Sequence, residues 1–233
     1  MSIQLRVRAA LSRIKMRAMM VLPRRRDPAA VFSSIYRNKI WAAGAAKGSD
    51  FYSGVGSTEA FTEPYERLIA QFIKDNNIRV VVDLGCGDFQ VGQRILQKVE
   101  CTYVGVDVVD DLIARNNARF GSEKVSFYSR DISHDPLPDG DLCLIRQVLQ
   151  HLDNATIERV LQNAQKYKFC IVTESQRFNP KVINVDIPSG AWTRSSLDSG
   201  LYFDQKPFSR KIQTLLTVQR NAEGAIHTCL LSQ

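Results

Sequence analysis

The chain is poor in the residues that staple or metallate small domains. Its five cysteines (Cys86, Cys101, Cys143, Cys170, Cys229) are odd in number, form no CxxC pair and all sit in or beside apolar runs. That excludes a disulfide framework and predicts reduced, buried thiols in a cytoplasmic protein. The three histidines, His134, His151 and His227, stand apart without zinc-ligand spacing, so no metal is expected. No stretch approaches the roughly 18–20 uninterrupted apolar residues that cross a bilayer. Repeats and low-complexity tracts are absent. With 44% hydrophobic residues over 233 positions, disorder throughout is excluded, and the length suffices for a full core in one large domain.

Acids are missing from one place in particular. Residues 1–26 hold Arg6, Arg8, Arg13, Lys15, Arg17, Arg24, Arg25 and Arg26 and no Asp or Glu. Those eight cations exceed the chain's net charge of +7, so the remainder sums to −1. The basicity belongs to an arm (1–31), which leaves nucleic acid an unfavoured partner for the body. Apolar residues interleave the arginines, and a helix ended by Asp27-Pro28 is expected. Three readings stand for the arm: a solvated tail, an amphipathic contact to an anionic membrane surface, or a targeting segment.

Residues 32–233 read as the folded domain. Residues 32–58 are rich in aromatics and glycine and read as a loop that contacts substrate or packs on the body. A helix follows, with Thr62 able to cap it and Pro64 suited to its first position. From Arg79, short apolar strands (80–84, 102–106, 125–128, 142–145, 169–172) alternate with helices, which predicts a parallel sheet covered on both faces. Residues 175–210 lack a period. Two strands, about 212–219 and 225–231, close the chain as a hairpin.

The chemistry concentrates at strand ends. Val81-Val82-Asp83-Leu84-Gly85-Cys86-Gly87 is a strand running into an acid and a glycine turn that lets backbone approach a ligand. The next strand ends in Asp107, placed to accept hydrogen bonds from a ribose, and the third in Asp131, placed to accept from an adenine amino group.

Residues 79–174 resemble the core of class I S-adenosylmethionine-dependent methyltransferases. Asp83-Leu-Gly85-Cys-Gly87 is similar to the family's first motif, Asp107 to its ribose-binding acid and Asp131 to its adenine-contacting acid. The resemblance implies an α/β, Rossmann-like fold with a seven-stranded, mostly parallel sheet and a C-terminal antiparallel hairpin. It implies S-adenosylmethionine as cofactor, held by Asp83, Gly85, Cys86, Gly87, Asp107, Val108, Asp131, Ile132 and Arg146. A dinucleotide fingerprint fits less well, because its third glycine is missing. Phe89 stands where many members have glycine, and its side chain is expected to narrow the methionine end of the pocket.

The fourth strand runs into Arg146-Gln147-Val148-Leu149-Gln150-His151, which resembles a subgroup thought to act on sugars or glycans. There Gln147 holds an acid's place; it can align a hydroxyl but cannot take its proton. His151 is the candidate base, with capping or packing as the alternative. Tyr36, Trp41, Trp192 and Arg194 are the candidate substrate contacts, in an acceptor-side insertion (175–210) and an N-terminal segment that tends to fold over the cofactor in that subgroup. The expected function is O-methylation of a sugar, glycan or small metabolite by a cytoplasmic enzyme. RNA methylation using the basic arm, and a non-catalytic cofactor-binding scaffold, are the alternatives. The acceptor and the oligomeric state are not encoded in any motif.

Overall fold

A computed structural model describes residues 27–41, 51–53 and 59–232. The basic stretch 1–26 lies outside them, as do 42–50 and 54–58. No helix among the described residues is long and apolar enough to cross a membrane.

The described chain opens with α1 (Pro28–Arg37). Asp27 caps it, accepting from the N–H groups of Ala29 and Ala30 at 3.1 and 3.3 Å, and Pro28 takes the first position, where no N–H is needed. Asp27-Pro28 therefore starts a helix where a loop was expected, and the boundary at residue 31 falls inside it. Helix α2 (Glu59–Asp75) begins earlier than Thr62, so Pro64 lies within the helix rather than at its first position, at the loss of one main-chain bond.

The sheet comprises β1 (Val80–Leu84), β2 (Thr102–Asp107), β3 (Val125–Ser129), β4 (Leu142–Arg146), β5 (Phe169–Arg177), β6 (Ile212–Asn221) and β7 (Gly224–Leu231). Their order is β3-β2-β1-β4-β5-β7-β6, parallel except where β7 pairs antiparallel with β5 and β6. Helices α3 (Gln90–Leu96), α4 (Asp110–Phe120) and α5 (Asn154–Asn163) connect the parallel strands.

Alternation along β1 builds two cores. Val82 and Leu84 face a cluster with α5, Ile145 and Val172, while Val81 faces Ile69 and Ile73 of α2 and Ile95 of α3. Burial on both faces explains the near-continuous apolar strands. Because the chain winds outward from β1 in one direction and from β4 in the other, a crevice opens at their carboxyl ends.

Candidate active site

A cleft with about 1080 Å³ of space, counted out to its open mouth, occupies that crevice. Its floor is the turn after β1. Gly85 and Gly87 have φ of 82° and 54°, and a Cβ on either would collide with Val148 or Ser53, so this turn requires glycine twice over. Asp107 ties the turn to β2: its Oδ2 accepts from Gly87 N at 3.1 Å and its Oδ1 from Val109 N at 3.2 Å. A carboxylate accepts at about four lone-pair sites, so capacity remains for a ligand. Burial pushes Asp107 up to about 6, against the pull of the Gly87, Val109 and Val108 amides. Asp83 is likewise pushed to about 6 by burial, opposed by the Tyr103 hydroxyl that donates to its Oδ2 at 2.6 Å and by Arg146.

At the end of β3, Asp131 is partly spent on its own turn. Its Oδ1 accepts from Ser133 N and Oγ at 2.8 and 2.7 Å, while Oδ2 stands 3.5 Å from His134 Nδ1. Val108 and Ile132 supply apolar cleft wall beside these acids. Acid acceptors over a glycine cradle suit a ligand that presents hydroxyl and amino donors. Among the described residues no group of three His, Cys, Asp or Glu is placed to hold a metal ion.

The opposite wall is aromatic. Phe32 and Tyr36 of α1 meet Trp41, with ring centroids 6.2 and 5.5 Å away, and Trp41 lies 4.9 Å from the His151 ring. Ser53 joins this wall to the floor: its Oγ accepts from Asp88 N at 3.0 Å and lies 3.2 Å from the Tyr36 hydroxyl. Arg146 lines the cleft with its guanidinium over Tyr65, 5.2 Å from the ring centroid.

Between the walls runs the segment after β4. Gln147 has φ of 57°, a left-handed conformation that costs a non-glycine residue roughly 1–2 kcal/mol. His151 Nδ1 lies 3.2 Å from Trp192 O, so in the neutral ring Nδ1 carries the proton. Burial drives His151 down to about 4, against the carbonyls of Trp192 and Gly190, with the Arg194 charge adding to the fall. A base this weak does not match a hydroxyl at neutral pH; a neutral ring held by Trp192 suits positioning instead.

Of the sequence candidates, Asp83, Gly85, Cys86, Gly87, Asp107, Val108, Asp131, Ile132, Arg146, Gln147, His151, Tyr36 and Trp41 all line this one cleft. Trp192 and Arg194 do not. Trp192 meets the site through the carbonyl it offers His151. Arg194 is buried, and its guanidinium donates to the carbonyls of Val185 and Leu152 at 2.8 Å each and to Asn154 Oδ1 at 2.7 Å, binding the insertion to the start of α5. Phe89 does not narrow the pocket either. With φ of 68° its side chain turns into the core, where its ring centroid is 5.0 Å from that of Tyr103 and 4.9 Å from that of Phe127.

Glu174 is a functional candidate that sequence reasoning missed. Its Oε1 accepts from Leu149 N at 2.7 Å, holding the segment that carries Gln147 and His151. Burial pushes it up to about 8, against the amides of Leu149 and Gln150, the Arg194 charge and the Val148 amide. The signal was a glutamate inside a strand, hidden because β5 was read as ending at Val172.

Residues 81–167 match a family model described as a methyltransferase domain. No curated protein matches the sequence. Among solved structures, human N-acetylserotonin methyltransferase in complex with S-adenosylmethionine aligns at TM-score 0.55 and 15% identity, over 89% of this chain and 60% of that one. Magnesium protoporphyrin IX methyltransferase from Synechocystis, with bound S-adenosylmethionine, aligns at TM-score 0.55 and 14% identity, over 91% of this chain and 100% of that one. The N-methyltransferase NodS from Bradyrhizobium japonicum, in complex with S-adenosyl-L-homocysteine, aligns at TM-score 0.52 and 11% identity, over 76% and 89%. Residues 81–167 of this chain thus match a methyltransferase domain, and the chain has the fold of these S-adenosylmethionine-dependent methyltransferases.

Proposed function

We propose that this protein methylates a hydroxyl of a small molecule, with a sugar ring as the acceptor class that its aromatic wall suits. One observation carries the reading: the acid-and-glycine floor and the aromatic wall belong to a single cleft, with Gln147 and His151 between them. S-adenosylmethionine, when bound, supplies a methyl group on a sulfonium, activated for in-line displacement. Asp107 would hold the ribose hydroxyls, Asp131 the adenine amino group between Val108 and Ile132, and the Gly85–Gly87 turn the methionine portion.

The chain's own work is then alignment. The faces of Phe32, Tyr36 and Trp41 exclude water and stack on the acceptor. Gln147 and the neutral His151 orient its oxygen, which takes the methyl group as the thioether leaves and gives up its proton to solvent water at the open mouth of the cleft. Holding two reactants in line replaces much of the entropic barrier of a bimolecular transfer. The relatives whose names give an acceptor, N-acetylserotonin and magnesium protoporphyrin IX, act on small molecules, which supports the size class. Loss of Trp192 and Arg194 from the wall leaves the sugar assignment resting on α1 and Trp41.

The test uses methyl-labelled S-adenosylmethionine with cell extract split into RNA, protein, lipid and polar-glycan fractions. Asp107→Ala serves as control. Label in the polar-glycan or small-metabolite fraction, above that control, is expected. Label in RNA or protein instead would overturn the acceptor class.

A further inference from the structure

We infer that the acceptor molecule carries a carbonyl or carboxylate oxygen beside its reacting hydroxyl, and that Gln147 recognises it as a hydrogen-bond donor. The inference rests on the methyltransferase reading and narrows its substrate class.

The argument starts from a group that has only one option. The main-chain carbonyl of Gln147 can only accept, so the part of the Gln150 side chain that faces it at 3.3 Å is the amide nitrogen. That same nitrogen lies 3.2 Å from the side-chain amide of Gln147, which must therefore turn its oxygen, Oε1, toward Gln150. Ser175 Oγ donates to the same Oε1 at 3.3 Å. Gln150 thus fixes one orientation of the Gln147 amide, and the Ser175 hydroxyl, which can donate or accept, is compatible with it.

The consequence falls on the other end. Nε2 of Gln147 is enclosed and has no hydrogen-bond partner among the described residues. Gln147 lines the cleft, at a left-handed backbone position. An enclosed donor without an acceptor is costly, and the cost is relieved when a ligand brings an oxygen to it. At this position a carboxylate would receive a proton from the acceptor; the fixed amide does the reverse and gives a hydrogen bond. A ligand group that is itself only a donor, such as an ammonium, leaves Nε2 unsatisfied. Sites built around one such polar partner reject analogues that lack it.

The experiment measures binding, without turnover, to the protein saturated with S-adenosyl-L-homocysteine. Three probes share a phenyl ring for the aromatic wall: acetophenone carries an acceptor oxygen, ethylbenzene carries none, and benzylamine carries a donor. Acetophenone is expected to bind about tenfold more tightly than ethylbenzene, the strength of one buried hydrogen bond. Benzylamine should gain nothing over ethylbenzene. Gln147→Leu should erase the acetophenone preference, and Gln147→Glu should transfer it to benzylamine. Equal binding of acetophenone and ethylbenzene, or a preference that survives both variants, would overturn the inference while leaving cofactor binding intact. Failure of S-adenosyl-L-homocysteine itself to bind would instead bring down the reading on which it rests, and the inference with it.

Discussion

His151 Nδ1 faces the carbonyl oxygen of Trp192 at 3.2 Å, and that contact sets what the histidine can do. The ring is held by a main-chain group of the insertion and kept neutral by burial, with its pKa at about 4. Its folded value lies below the ordinary imidazole value of 6.5, so the stability that it contributes is present above about 6.5 and is lost as pH falls through about 4. His151 should therefore add no step of its own near pH 6.5, and a step near pH 6 set by Asp83 and Asp107 should persist when His151 is replaced. His151→Asn, whose amide can still donate to Trp192 O, should retain more kcat than His151→Ala. Equal loss in both, with a wild-type rate step near pH 6–7 that disappears in both variants, would support the general-base role instead.

Glu174 answers to a similar test with the opposite sign. Its folded pKa of about 8 lies above the ordinary glutamate value of 4.5. The stability that it contributes is complete below about 4.5 and is lost as pH rises through about 8. Glu174→Gln, which keeps an oxygen for Leu149 N, should gain stability relative to wild type as pH rises across that window. Glu174→Ala leaves Leu149 N–H buried without an acceptor and should cost about 1–3 kcal/mol. Urea denaturation of the three proteins between pH 5 and 8.5 checks both. A parallel pH dependence in wild type and Glu174→Gln would refute the assignment.

Arg194 should behave as a structural residue. Removing its guanidinium strands the carbonyls of Val185 and Leu152 and opens a void, so Arg194→Ala should cost about 3–5 kcal/mol. Acceptor KM in the protein that remains folded should change little. A stable Arg194→Ala with KM raised tenfold or more would show that the side chain touches acceptor after all.

The glycine turn is the most sensitive point of the floor. Gly87→Ala combines a φ of 54° with a collision against Ser53. It should weaken S-adenosyl-L-homocysteine binding by about tenfold or more and destabilise by about 1–3 kcal/mol. Calorimetry and thermal melting of the variant read the two effects separately. Unchanged affinity would mean that the turn does not touch the cofactor.

These outcomes also separate what the sequence could and could not reveal. Asp83, Asp107 and Asp131 were legible because each ends a short apolar strand, and parallel strands deliver their ends to one edge. The sheet and its hairpin followed from the same runs. Phe89 was misplaced because its role depends on a left-handed φ that no pattern of residue types displays; the backbone, not the side chain, chose the core. Arg194 sat among aromatics and looked like a ligand contact, but its partners are main-chain carbonyls, which every residue carries and no sequence marks. Glu174 was missed because β5 continues past the apolar run, through polar residues from Thr173 to Arg177 that are buried as far as Ser175. The start of α2 was misjudged because Thr62 and Pro64 make a plausible cap, yet the helix tolerates the proline.

The central claim is that this cleft binds S-adenosylmethionine through Asp107. Titration calorimetry of S-adenosyl-L-homocysteine into the wild-type chain and into Asp107→Ala tests it most directly. The account predicts one site per chain, with affinity reduced about tenfold or more in the variant, as loss of charge-assisted hydrogen bonds to a ribose requires. No heat of binding in the wild type, or equal affinity in a folded Asp107→Ala, would contradict it.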